Sequence, residues 1–196
     1  LKKNYRLLDS FDQKYLVFRN IQKFRNIADI ELVMPNGGAW KWAEAICGLV
    51  GTLTEELVDA DAMAKDSKTE IRVLSAILKQ YQQLLTDENL IDFAKIQTEC
   101  YRLLKENPAI LSDLQEKIHY LMIDEYQDTN YIQEQIIFML GEKHGNICVV
   151  GDDDQGLYRF RGATIRNILE FPHKFKDGAC KIIPLTVNYR SNSDIV

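Results

Sequence analysis

The sequence predicts an α/β fold, an all-helical first half followed after about residue 119 by a parallel sheet with crossover helices. Three observations predict it. Before residue 119 apolar residues recur at helical spacing and no strand pattern of any length appears. After it come three short apolar runs, at 120–123, 147–150 and 182–185. Between these runs lie two amphipathic segments, 131–140 and 163–171, and strands alternating with helices of about ten residues imply βαβ units and a parallel sheet.

Taken in order, residues 4–27 place Leu7, Leu8, Phe11, Tyr15, Leu16, Phe18, Ile21 and Phe24 on a helical stripe, with Asp9 or Ser10 as a cap. The PNGG run at 35–38 is the clearest break in the first half. Residues 39–50 (AWKWAEAICGLV) read as another helix, with Trp40 and Trp42 as core or interface. Further helices are expected near 54–65 and 68–86, the latter carrying Ile71, Leu74, Ile77, Leu78, Tyr81, Leu84 and Leu85 on one face. Helical character continues from Asp87 to Asn107. Pro108 then suits the first turn of a helix running to about Lys117.

Composition narrows the class. The chain is 46% hydrophobic and 27% charged, as in soluble globular proteins. No apolar run approaches the roughly 20 residues that span a bilayer, and the N-terminus lacks the apolar stretch of a signal peptide. The four cysteines are far apart and unpaired in pattern, which suits reduced thiols in the cytoplasm. The three histidines form no ligand pattern, which argues against a metal held by protein ligands alone and leaves room for magnesium brought by a nucleotide. Net charge is −5, yet the first 25 residues hold seven Lys or Arg against two Asp, a basic end that suits either a solvated helix face or a phosphate backbone. A start without Met and an end at SNSDIV suggest a segment of a longer protein.

The chemistry gathers where the strands end. In open parallel sheets ligands bind beyond the carboxyl ends of the strands. The first run ends in Asp124–Glu125, the second in Gly151–Asp152–Asp153–Asp154–Gln155, and the third is followed by Asn188–Tyr189–Arg190. One such end is what any turn looks like; three at matched positions suit phosphoryl transfer to water. One carboxylate can join a magnesium shell, a second can accept the proton of the attacking water, and an amide can orient that water. An arginine can stabilise transition-state charge, worth about 10³- to 10⁵-fold in rate. After Gln155, the run QGLYRFRGATIR alternates Tyr158, Arg159, Phe160 and Arg161. Such a pattern can stack bases and meet phosphates, or pack as an ordinary amphipathic element.

These residues carry a resemblance. MIDEYQDTN, VVGDDDQGLYRFRGA and NYRS, in this order and spacing, resemble the motifs of superfamily 1 DNA helicases of the UvrD/Rep/PcrA type. The likeness is sharp from about 89 to 196 and looser upstream. It implies a partial RecA-like (P-loop NTPase) sheet over 88–196, the second part of ATPase domain 1A, and a helical insertion, 1B, over 1–87. It implies Asp124 as the magnesium-linked carboxylate, Glu125 as the base, Gln155 as the γ-phosphate sensor and Arg190 as the arginine reaching the γ-phosphate. Tyr189 resembles the tyrosine near the adenine. Tyr158, Phe160 and Arg161 resemble the bridge to single-stranded DNA, with Phe160 where many relatives have Trp. Gly156 replaces a common Ser, and Lys95 stands where an acidic residue is usual, so Asp92–Phe93 inherits no role.

The implied activity is ATP- and Mg²⁺-dependent 3′–5′ unwinding, with single-stranded DNA, strand junctions and the other helicase domains of the same polypeptide as partners. No GxxGxGK[ST] loop occurs in the 196 residues, so the chain alone is expected to be inactive. The alternatives are a helicase–nuclease subunit of the AddA/RecB type and a non-hydrolysing module that binds DNA or a partner.

Overall fold

A computed structural model describes residues 4–152, 165–176 and 178–192, with 165 and 166 described by backbone alone. Strand β1 (Arg6–Leu7) leads into helices α1 (Ser10–Arg19) and α2 (Ile21–Arg25). Asp9 caps α1, its carboxylate accepting from the amides of Phe11 and Asp12 at 2.9 and 2.8 Å. The single helix expected over 4–27 is broken at Asn20, whose side chain donates to the Leu16 carbonyl at 2.9 Å; an Asn that bonds the backbone locally competes with the helix ladder.

Helix α3 (Ala39–Glu55) runs beyond its expected end, and Leu57, in the left-handed region at φ 53°, stops the chain from continuing it. The helix expected over 54–65 is therefore only the short α4 (Ala60–Met63), capped by Asp59. Helix α5 (Thr69–Asp87) matches its expected stripe, with Val73, Ile77, Leu78, Tyr81, Leu84 and Leu85 buried.

Strand β2 (Leu90–Ile91) follows and pairs in parallel with β1, Arg6 opposite Leu90 and Leu7 opposite Ile91. This corrects the expectation of no strand before residue 119; a two-residue strand is too short to show a period of two. Asp92 caps α6 (Phe93–Glu106) and also accepts from the Tyr81 hydroxyl at 2.6 Å and the Gln13 amide at 3.2 Å, joining α1, α5 and α6. Pro108 opens α7 (Pro108–Lys117) as expected. The continuous apolar core runs from Leu8 to Leu90 and centres on Phe24, Ile30, Ile46, Ile77 and Leu78.

The second sheet pairs β3 (Leu121–Ile123) with β4 (Ile147–Val149) in parallel, with α8 (Tyr131–Gly141) as the crossover. Asn130 and Gln133 form a reciprocal capping box that starts α8. A Cβ on Gly141 would lie 2.5 Å from Ile147, so glycine lets the end of α8 close onto β4. Helix α9 (Ile165–Glu170) then packs on the turn after β3.

The third expected strand, 182–185, does not form. Residues 181–188 have no regular structure, and Ile182, Ile183 and Leu185 are 66–86% exposed. A strand needs a neighbour's backbone, and among the described residues none pairs with this run. No helix among the described residues is long and apolar enough to cross a membrane.

Candidate active site at the strand ends

The site begins where β3 stops. Val150 donates to the Ile123 carbonyl at 2.8 Å, and Tyr126 donates to the Val150 carbonyl at 2.9 Å, so the chain leaves both strands at one level. Between those two bonds lie Asp124 and Glu125. Glu125 sits in the left-handed region at φ 51° and ψ 45°, a conformation that a residue with a Cβ adopts at a cost of about 1–3 kcal/mol. Its own amide donates to Asp124 Oδ1 at 2.9 Å, and its carboxylate Oε2 accepts from the side chain of Gln127 at 2.6 Å. Asp124 and Glu125 are themselves exposed.

The two carboxylates border an open cleft of about 450 Å³ together with Ile123, Asp128, Thr129, Gln133, Ile136 and Ile137. The floor is firmly built. Tyr126 is fully buried and donates its hydroxyl to Glu134 Oε1 at 2.9 Å; Lys174 pairs with the other oxygen of this buried carboxylate. Burial, with Glu134 beside it, pushes the Tyr126 phenol well above the ordinary tyrosine range, so it remains a donor. The Tyr126 and Phe171 rings meet edge to face at 5.2 Å. Asn167 on α9 donates to the Thr129 carbonyl at 3.0 Å, fastening the turn from the far side.

Of the expected site residues, the structure brings together Asp124, Glu125 and the start of the loop after β4, Gly151–Asp152. Gln155, Tyr158, Phe160 and Arg161 lie outside the described residues. Tyr189 is 92% exposed, and the Arg190 amide donates to Asn188 Oδ1 at 2.8 Å in a local turn. Among the described residues no hydrogen bond or ion pair joins the Arg190 side chain to Asp124 or Glu125, which follows from the absence of the third strand that would carry it there. Sequence reading missed Gln127, Glu134 and Asn167. Nothing in their spacing marks them, because which polar side chains of YQDTN turn inward depends on the left-handed kink at Glu125.

A model of the UvrD/REP helicase N-terminal domain family matches residues 1–176. The chain belongs to this family. It is 33% identical over 197 aligned positions to the ATP-dependent DNA helicase PcrA of Bacillus subtilis, and 32% identical to the PcrA proteins of Staphylococcus epidermidis and Staphylococcus aureus. In each case the alignment covers all of this chain and a quarter of the relative, so the chain spans about a quarter of the length of these helicases. Membership in the UvrD/REP family agrees with the short parallel strand pairs and the predominance of helix.

Proposed function

We propose that the chain is part of an ATP-dependent DNA helicase, contributing half of the ATP site and part of the single-strand track. The observation that carries this reading is the acidic pair Asp124–Glu125 at the carboxyl end of a parallel strand, level with the end of its neighbour. Residues 1–87 form the helical insertion, and 88–196 the second part of the first RecA-like domain. The relatives' name as ATP-dependent DNA helicases supports the same reading.

The donor set suits magnesium: hard carboxylate oxygens, exposed beside a cleft, with no cluster of three or more His, Cys, Asp or Glu among the described residues able to hold a metal without help. Magnesium favours such sites, where one or two carboxylates and the substrate phosphates share the coordination. When bound with ATP, the ion would offset charge on the phosphate oxygens. Asp124 is the residue that holds it. Glu125, at the border of the cleft, accepts the proton of the attacking water. In the whole protein Gln155 senses the γ-phosphate and Arg190 reaches it. Tyr189 lies against the adenine. Tyr158, Phe160 and Arg161 contact single-stranded DNA, translocation runs 3′–5′, and strand junctions are the substrates.

In the full-length protein, Glu125→Gln removes the base but no phosphate contact. DNA-stimulated ATP hydrolysis should fall by at least about 100-fold, while equilibrium binding of a non-hydrolysable ATP analogue persists. Loss of binding in parallel with hydrolysis would refute the base assignment. The 196-residue chain by itself should show no DNA-stimulated hydrolysis, and turnover that depends on Glu125 would overturn the division of the site.

A further inference from the structure

Gln127 lies two residues beyond the base and is only 2% exposed. Both ends of its amide are committed. The nitrogen donates to Glu125 Oε2 at 2.6 Å, and the oxygen accepts the backbone N–H of Asp152 at 3.0 Å. A carboxylate oxygen can only accept here and a backbone N–H can only donate, so the two partners fix which way round the amide sits. The seat is tight: a Cβ on Gly151 would lie 2.5 Å from Gln127 Oε1 and 3.3 Å from its backbone nitrogen. Gln127 therefore spans from the end of β3 to the end of β4, two segments 25 residues apart in sequence.

We propose that Gln127 is a positioning residue that ties the Glu125 carboxylate to the loop after β4, so that the base and this loop are oriented together. The inference rests on Glu125 being the hydrolytic base. A buried amide serving only to fill space would meet neutral backbone groups. This one is bonded to the reactive carboxylate on one side and to the loop on the other. The terminal torsion of a glutamine is broad, so releasing the Asp152 amide frees the side chain to turn, and Glu125 loses its fixed direction. In sequence the loop continues from Asp152 to Gln155 and the YRFR run.

The test uses two variants of the full-length protein. Gln127→Glu retains an acceptor for Asp152 but sets a second carboxylate against Glu125; Gln127→Met removes both bonds at similar volume. Each should lower the DNA-stimulated kcat for ATP by about tenfold or more, a size found for residues within one hydrogen-bond network. The KM for ATP and the affinity for a non-hydrolysable analogue should stay within about twofold. With Glu125→Gln already present, adding Gln127→Glu should change the residual single-turnover rate by less than about twofold, because the partner it acts through is gone. If one variant fails to fold, as judged by Tm, the other carries the test. A folded variant with parental kcat, or a loss that multiplies in full on the Glu125→Gln background, overturns the proposal. A parent whose turnover is untouched by Glu125→Gln overturns the base assignment itself, a separate failure.

Discussion

Glu125 shows how one residue's backbone is held against its own preference. Three neighbouring bonds determine it: its amide to Asp124, its carboxylate to Gln127, and the next amide to the Val150 carbonyl. Strain of this kind persists only where the surroundings over-determine it. Glu55, at the end of α3, is a different case. Burial raises its carboxyl above the usual Glu range, while the Asn130 side chain acts in the opposite sense. The folded state therefore holds this proton more tightly than the unfolded chain does. Its favourable contribution is complete below the ordinary Glu value and is lost as pH rises through the raised one. Glu55→Gln should raise Tm at pH 7 but leave it unchanged near pH 4. Glu55 is only half-buried and water screens part of the effect, so the rise should be no more than about 3 °C. An unchanged Tm at pH 7, read by calorimetry at both pH values, would count against this account.

Among the elements, Asp92 has the widest reach, capping α6 while receiving the hydroxyl of Tyr81 and the amide of Gln13. Burial first, and then the Asp92 carboxylate, push the Tyr81 phenol well up, so it stays a donor to Asp92. Asp92→Ala removes the cap and strands the Tyr81 hydroxyl, and should cost about 2–4 kcal/mol in urea unfolding. Asp92→Asn, which retains the cap, should cost less; equal losses would mean that the cap is not the larger part. The sequence made α5, α7 and α8 legible, because a helical apolar pattern or a proline marks each within its own span. It could not show β1 and β2, where two residues carry no period. Nor could it show that 182–185 goes unpaired, since pairing depends on a neighbour far away in the chain. Asp124 and Glu125 were readable at a strand end. The inward turn of Gln127 was not, because it follows from a kink that no residue type announces.

At the scale of the whole molecule, apolar surface is unevenly covered. The Leu8–Leu90 core is closed, while Tyr120 and Met122 beside the second sheet are 77% and 78% exposed, in company with Ile182, Ile183 and Leu185. Exposed apolar side chains such as these favour association. For the 196-residue chain, Ile183→Lys should raise solubility with Tm unchanged, whereas Ile77→Ala, in the closed core, should cost about 2–5 kcal/mol. A drop in Tm for Ile183→Lys would show that this run is packed in solution. The first sheet has a different bearing. Because Arg6 stands opposite Leu90 and Leu7 opposite Ile91 in parallel, everything from Leu8 to Asn89 leaves at one end of this two-residue pair and returns at the other, a few residues away. Segments with adjacent ends are the ones that tolerate excision and insertion. That whole stretch can thus be exchanged for its counterpart from a relative by cutting the chain at just two neighbouring places, which makes it a ready cassette for building chimaeras.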